Sequence, residues 1–315
     1  MKQEKIRFGL YAPPEGQDFL TIKNLCRYAE RLGYDLFTIT DHFMNMQNPR
    51  GHQNHPLECW TTLAALAAVT DRIALAPLVS CAHYRHPTVL AKMATTVDIV
   101  SGGRLIFGIG AGWHADEFEG FVGRFPSVKE RLDGLEEAVQ ICKSMFENEY
   151  TNFAGRTYSA KNTLNSPRPT RGHIPIMIGG AGEKRTLRIA AKYADICHVV
   201  GHLPPSELEH KIGVLKKHCV DVGRDFSTIT VGTGFRPLLN ATSEEVRREI
   251  QVIAGSGKRP LDKAKQEVEN VTGVDNVLKT IEGYRSLGVD LITLAGPILE
   301  ELEDFKESIL SRFTD

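Results

Sequence analysis

The feature that most constrains this chain is a rhythm. Eight short apolar runs, at residues 6–12, 35–39, 73–79, 104–109, 175–178, 195–200, 229–235 and 290–294, are each followed by a stretch of helical spacing. In residues 19–32, for example, Phe19, Ile22, Leu25, Tyr28, Ala29 and Leu32 fall on one helical face, and Gly33 follows as a C-terminal cap. Pro87 stands where another helix would begin, ahead of 89–100. Short runs that are apolar throughout suit strands covered on both faces. Strand–helix alternation then gives a parallel sheet wrapped by helices. Eight repeats predict an α/β fold of the (β/α)8 TIM-barrel kind. The chain, 315 residues with 42% hydrophobic content, is large enough for one such core. We read residues 1–315 as one domain, with inserted segments around 111–127, 150–173 and 237–272. The stretch 150–171 holds no convincing helix and reads as an inserted hairpin. Pro13-Pro14 ends the first strand.

Several function classes are disfavoured. The formal net charge of −1 favours neither nucleic acid nor an anionic membrane as partner. The longest apolar runs fall well short of the roughly 18 residues that span a bilayer. The start, MKQEKIRFGLYAPPEG, enters a strand with no signal-peptide core. Cys26, Cys59, Cys81, Cys142, Cys197 and Cys219 are scattered with no CxxC pair, which suggests reduced thiols and a cytoplasmic location.

In a barrel of this kind, chemistry sits on the loops that follow the strands. Those loops carry Asp41-His42, the stretch 80–86 with Arg85, the run Gly110-Ala111-Gly112-Trp113-His114, the run Gly179-Gly180-Ala181-Gly182, and Arg236. Gly108, Gly110 and Gly112 alternate at a strand end, where bare backbone lets a flat ligand come close. Trp113 would be a pocket wall. A glycine-rich turn with a packing Trp reads the same way. The spacing does not make a Rossmann fingerprint. Gly179–Gly182 lies between a strand and a helix, where free N–H groups and the helix dipole make a phosphate site. Lys184 and Arg185 in the first helical turn would add charge. The alternative is a tight turn that needs small residues. His42 can act as a general acid or base, or only hold a ligand. Asp41 beside it faces another way if neighbours alternate. Arg85 could pair with an anion or with a surface acid. His42, His52, His55, His83 and His86 raise a metal question, but no HxH, HExxH or Cys/His cluster is present, so we expect no metal. No nucleophile signature appears.

The segments LVSCAHYRHPTVLAKMATTVD (78–98), SGGRLIFGIGAGWHADEF (101–118), RLDGLEEAVQI (131–141), IPIMIGGAGEKRTLRIAAKYAD (174–195) and GYRSLGVDLI together carry a resemblance. The chain resembles the bacterial-luciferase-like superfamily of flavin- and deazaflavin-dependent oxidoreductases, over nearly its whole length and in order. It is most similar to the subgroup using the deazaflavin coenzyme F420. The resemblance implies a luciferase-like barrel, commonly a homodimer. The cofactor ring would lie against the third and fourth strands, at Pro77, Leu78, Val79, Gly110, Ala111, Gly112 and Trp113, with Arg85 nearby. A non-proline cis peptide bond would fall near 77–79. The cofactor phosphate would sit at Gly179, Gly180, Ala181 and Gly182. Asp41-His42 matches an Asp-His pair whose His moves a proton or steadies the reduced cofactor. Sugar-phosphate dehydrogenases of the family carry a Glu directly after the fourth strand's glycines. Trp113 stands there here, leaving His114, Asp116 and Glu117 as substitutes.

The expected function is hydride transfer between coenzyme F420 and a small organic substrate, with Asp41 and His42 as the catalytic pair. The alternatives are an FMN-dependent monooxygenase using reduced flavin and oxygen, a cofactor-binding protein without turnover, and a metal hydrolase on the same barrel.

Overall fold

A computed structural model describes residues 5–12, 15–46, 49, 51, 53–201, 203–255, 259–296 and 299–313. The prolines expected to stop the first strand, Pro13 and Pro14, lie outside them, as does His52. Eight parallel strands build the barrel: β1 (Arg7–Tyr11), β2 (Leu36–Ile39), β3 (Ala74–Pro77), β5 (Phe107–Gly110), β8 (Ile176–Gly179), β9 (Ile196–Val199), β10 (Thr230–Phe235) and β11 (Leu291–Ala295). A short strand β4 (Ser80–Cys81) continues the line of β3 and pairs with β5, Cys81 facing Gly110. The order is β3-β2-β1-β11-β10-β9-β8-β5-β4. A parallel bridge between Leu75 and Leu105 joins β3 to the approach of β5 and nearly closes the ring. The (β/α)8 expectation holds.

The helices α1 (Phe19–Leu32), α2 (Cys59–Ala67), α3 (Pro87–Val100), α5 (Val128–Glu147), α6 (Thr186–Tyr193), α7 (Pro205–Val222), α10 (Val274–Ser286) and α11 (Leu299–Ser308) follow the strands in turn. Their local chemistry explains their ends. Asp18 caps α1 by accepting from the Thr21 N–H, and Gly33 closes it at φ 89°. Ser127 and Glu130 form a capping box at the start of α5. The main core lies between barrel and helices, with Phe8, Phe37, Phe107, Phe146 and Trp60 fully covered. Each such side chain contributes about 2–3 kcal/mol by leaving water. Inside the ring, Leu36, Ala76, Met177, Ile196 and Leu291 plug the lower end.

Two features fix that lower end. The Arg104 guanidinium donates to the carbonyls of Ile73, Ala67, Thr70 and Ser101, at 2.7–2.9 Å, tying α2, β3 and α3 together. The Glu30 carboxylate accepts from the N–H groups of Asp71, Arg72 and Ile73. Arg104 was expected inside the fourth strand. Its side chain is instead spent on these carbonyls, and regular pairing begins only at Phe107.

The expected hairpin is present: β6 (Tyr150–Ala154) pairs antiparallel with β7 (Ser159–Leu164). The Tyr158 hydroxyl donates to the Ala82 carbonyl at 2.9 Å and docks the hairpin beside the barrel mouth. The stretch after β5 forms a turn of helix, α4 (Ala115–Glu117), and a π-helical turn over 118–122. The stretch 237–272 carries α8 (Ser243–Gly255) and α9 (Leu261–Glu269). Among the described residues, no helix is long and apolar enough to cross a membrane.

Candidate active site

A cavity of about 430 Å³ opens at the C-terminal ends of the strands. Its floor is Leu78 and Val79 past β3, Gly110 at the end of β5 with Ala111 and Gly112 past it, and Gly179 at the end of β8 with Gly180 past it. Tyr11, Thr40, His42, Trp113 and Thr186 stand around it. The Leu78–Val79 peptide bond is cis, where the resemblance placed one.

The glycines are required by what faces them. A Cβ on Gly110 or on Gly179 would come within 2.7 Å of a Val79 methyl. Val79 therefore fills the space behind two bare stretches of backbone. On Gly112 a Cβ would meet Cys81 Sγ at 2.5 Å and the Phe118 ring at 2.8 Å. Such a floor fits a flat ring laid across it. Gly180 has φ 143°, and its N–H donates to the His198 carbonyl at 3.1 Å. The Ala181 and Gly182 N–H groups have no acceptor among the described residues, so these two, rather than Gly180, are free for an anion. The Thr40 hydroxyl is also buried without a partner at the cavity edge. These observations suit a ring with a phosphate-bearing arm.

Of the charge expected from the first turn of the next helix, that of Arg185 is not free. The helix starts at Thr186, and Arg185 instead pairs with Asp133 of α5 at 2.7 Å. Pro77, Arg85, Ala181 and Gly182 do not line the cavity. Pro77 lies behind it, with its carbonyl pressed against Gly108.

Asp41 and His42 part company, as strand alternation implies. The Asp41 carboxylate takes two N–H bonds from Arg85, at 2.7 and 3.0 Å, a 2.6 Å bond from the Ser80 hydroxyl and one from the Cys81 N–H. Trp60 donates to Ser80 at 3.0 Å, and Arg85 also pairs with Glu58. Burial pushes the Asp41 carboxyl up against the pull of Arg85 and Ser80. Asp41 touches the cavity wall, but its oxygens are committed to this network. The expected catalytic pair is thus one cavity histidine and one buried anchor. Arg85 is neutralised by two carboxylates and is not the free anion partner that the sequence suggested.

His42 stands in the cavity wall with Trp113 edge-on at 5.6 Å. Its Nδ1 lies 2.8 Å from Glu117, whose side chain is fully buried. Glu117 also accepts from the Tyr84 hydroxyl at 2.6 Å and from the N–H groups of Phe43 and Met44, at 2.7 and 2.9 Å. Burial raises the Glu117 carboxyl, but the bonds from His42 and Tyr84 outweigh it and hold the group below the usual range. Glu117 does not line the cavity, so it is no substitute for an acid that meets substrate. The sequence also gave no notice of Glu15. Both of its carboxyl oxygens are covered and unpartnered, and burial raises its pKa, with Glu117 adding to the effect and His42 opposing it.

Fold and site together define a class: a parallel (β/α)8 barrel with a glycine-floored small-molecule cavity and a histidine at its C-terminal mouth. The chain belongs to the luciferase-like monooxygenase family, whose model matches residues 6–286. It is 26% identical to the F420-dependent glucose-6-phosphate dehydrogenase of Microbacterium testaceum, over 98% of this chain and 97% of that one. It is 25% identical to the pyrimidine monooxygenase RutA of Escherichia coli, over 91% of this chain and 75% of that one. Its fold superposes with a TM-score of 0.84 on an F420-dependent secondary alcohol dehydrogenase in complex with an F420-acetone adduct, at 20% identity, over 97% of this chain and 98% of that one. Its relatives therefore include both deazaflavin-dependent dehydrogenases and monooxygenases.

Proposed function

We propose that this protein is a coenzyme F420-dependent oxidoreductase that moves hydride between the deazaflavin and a small organic substrate. The observation that carries the reading is His42, held in the wall of a cavity whose floor is the bare backbone of Gly110, Gly179 and Gly180. The glycine floor and Leu78–Val79 would hold the ring, and the Ala181 and Gly182 N–H groups its phosphate. Trp113, 56% exposed, would close over the substrate side. When bound, the deazaflavin supplies the hydride chemistry, and the protein supplies position and proton transfer. Among the described residues His42 Nε2 makes no hydrogen bond, and it would take or give the accompanying proton.

The names of the dehydrogenase relative and of the superposed alcohol dehydrogenase support the deazaflavin over FMN. The RutA relative, a monooxygenase by name, supports a monooxygenase as second reading, for which we take FMN as the cofactor. Parallel fluorescence titrations of the purified protein with F420 and with FMN separate them. Tight F420 binding with weak FMN binding is expected. Tight FMN binding alone, with substrate-dependent oxygen uptake, would replace this reading by the monooxygenase.

A further inference from the structure

One carboxylate behind the cavity holds three loops. Glu117 reaches from α4 to His42, Phe43 and Met44 in the loop after β2, and to Tyr84 in the loop after β4. Four donors converge on it, and its side chain has no exposure. Two of them are backbone N–H groups and one is a phenol, none of which releases its proton near neutrality. An ionised carboxylate can only accept, so the fourth bond also needs a donor: His42 Nδ1 must carry a hydrogen. In a neutral imidazole the lone pair then sits on Nε2, the nitrogen with no partner among the described residues.

We infer that Glu117 is the positioning residue for His42, fixing the Nδ1–H tautomer so that Nε2 faces the chemistry as a base. This rests on the reading of His42 as the proton carrier. In the oxidative direction the proton leaving the substrate goes to Nε2, as the carbon-bound hydrogen departs with its electron pair to the oxidised deazaflavin. The buried anion then steadies the imidazolium. In the reductive direction Nε2–H returns the proton. Other groups around His42 do not provide this hold. Asp41 is spent on Arg85, and the His114 and Trp113 rings meet His42 only edge-on, at 6.1 and 5.6 Å. Glu15 senses the charge on both His42 and Glu117 but bonds to neither.

The test is Glu117→Gln. The Gln oxygen can still accept from Phe43 and Met44, while its NH2 replaces the oxygen facing His42. It would donate to Nδ1 and force the hydrogen onto Nε2, so the shape is kept and the tautomer inverted. Ring 15N–1H spectra of the histidine-labelled protein, without cofactor, read the tautomer directly. Nδ1–H is expected in the parent protein and Nε2–H in the variant. F420 affinity should stay within about threefold, with turnover down about 10⁴-fold, as when a triad carboxylate becomes an amide. In the oxidative direction the acidic limb of the pH–rate profile should vanish with it. Nε2–H in the parent protein, or the same tautomer in both, would overturn the inference. If Glu117→Gln fails to fold, the parent spectrum alone decides: Nδ1–H carries the assignment and Nε2–H overturns it. If neither protein binds F420, the proposed function fails, while the tautomer measurement stands on its own.

Discussion

Arg85 meets Asp41 with two N–H···O bonds, at 2.7 and 3.0 Å, across a separation of 44 residues. The Asp41 side chain has no exposure and that of Arg85 has 11%. The pair joins the end of β2 to the loop after β4, directly behind the cavity wall. Removing one member of a buried pair leaves the other charge without compensation and costs about 3–5 kcal/mol. Arg85→Met should therefore lower the melting temperature by several degrees and weaken cofactor binding, because His42 follows Asp41 directly. Calorimetry and a fluorescence titration check both; an unchanged melting temperature would remove the anchoring role.

Gly108 sits against the Pro77 carbonyl oxygen so closely that a Cβ there has no room, and the obstacle is backbone. Gly108→Ala must push β3 from β5. We expect a loss in the exceptional range, about 4 kcal/mol or more, seen as a sharply lower urea midpoint or as insoluble protein. A variant with the parent midpoint would contradict the packing described for β3 and β5.

For His42→Ala, cofactor binding should persist while turnover falls by about 10²–10⁴, the span for a general acid–base group. Steady-state kinetics beside a binding isotherm separate the two effects. Unchanged turnover would return the reading to a ligand-holding histidine.

At Gly180 the backbone has φ 143°, and a Cβ would come within 2.8 Å of the Thr186 methyl. Gly180→Ala should distort the turn that presents the Ala181 and Gly182 N–H groups. F420 affinity should drop at least tenfold, with little change for a phosphate-free deazaflavin. An equal loss for both ligands would place the phosphate elsewhere.

His198 gives a pH dependence to the fold. Its imidazole is 2% exposed, and burial lowers its pKa from 6.5 to about 4. As pH falls below 6.5 the unfolded chain takes up a proton that the folded chain refuses until about 4. The contribution is complete above 6.5 and is lost on acidification across that window, about 3 kcal/mol in all. Urea unfolding at pH 7 and pH 5 should show a steeper loss for the parent protein than for His198→Gln, which can keep a bond to Thr293. Equal slopes would show that His198 titrates normally.

The barrel was legible because most of its strands are short and apolar, as a cover on both faces requires. The cavity floor was legible because Gly110 and Gly179 stand at strand ends, where side chains have no room. The anchors were not. Asp41 finds Arg85, and His42 finds Glu117, through closure of the ring, and nothing local in HADEF separates Glu117 from the surface acids Asp116 and Glu119. Arg104 misled for a related reason: an arginine opening an apolar run reads as a strand start until its carbonyl partners are known. Strand β4 is two residues long, too short for any periodicity.

Arg104 and Glu30 hold the closed end of the barrel mainly through backbone carbonyls and N–H groups, with the Thr70 hydroxyl as an added acceptor. Such a clasp is indifferent to which residues occupy the opposite rim. The stretches 119–125 and 237–255 are therefore free to be rewritten for a new substrate without renegotiating the frame, and grafts from relatives into those loops should retain the parent unfolding midpoint while changing what the cavity accepts.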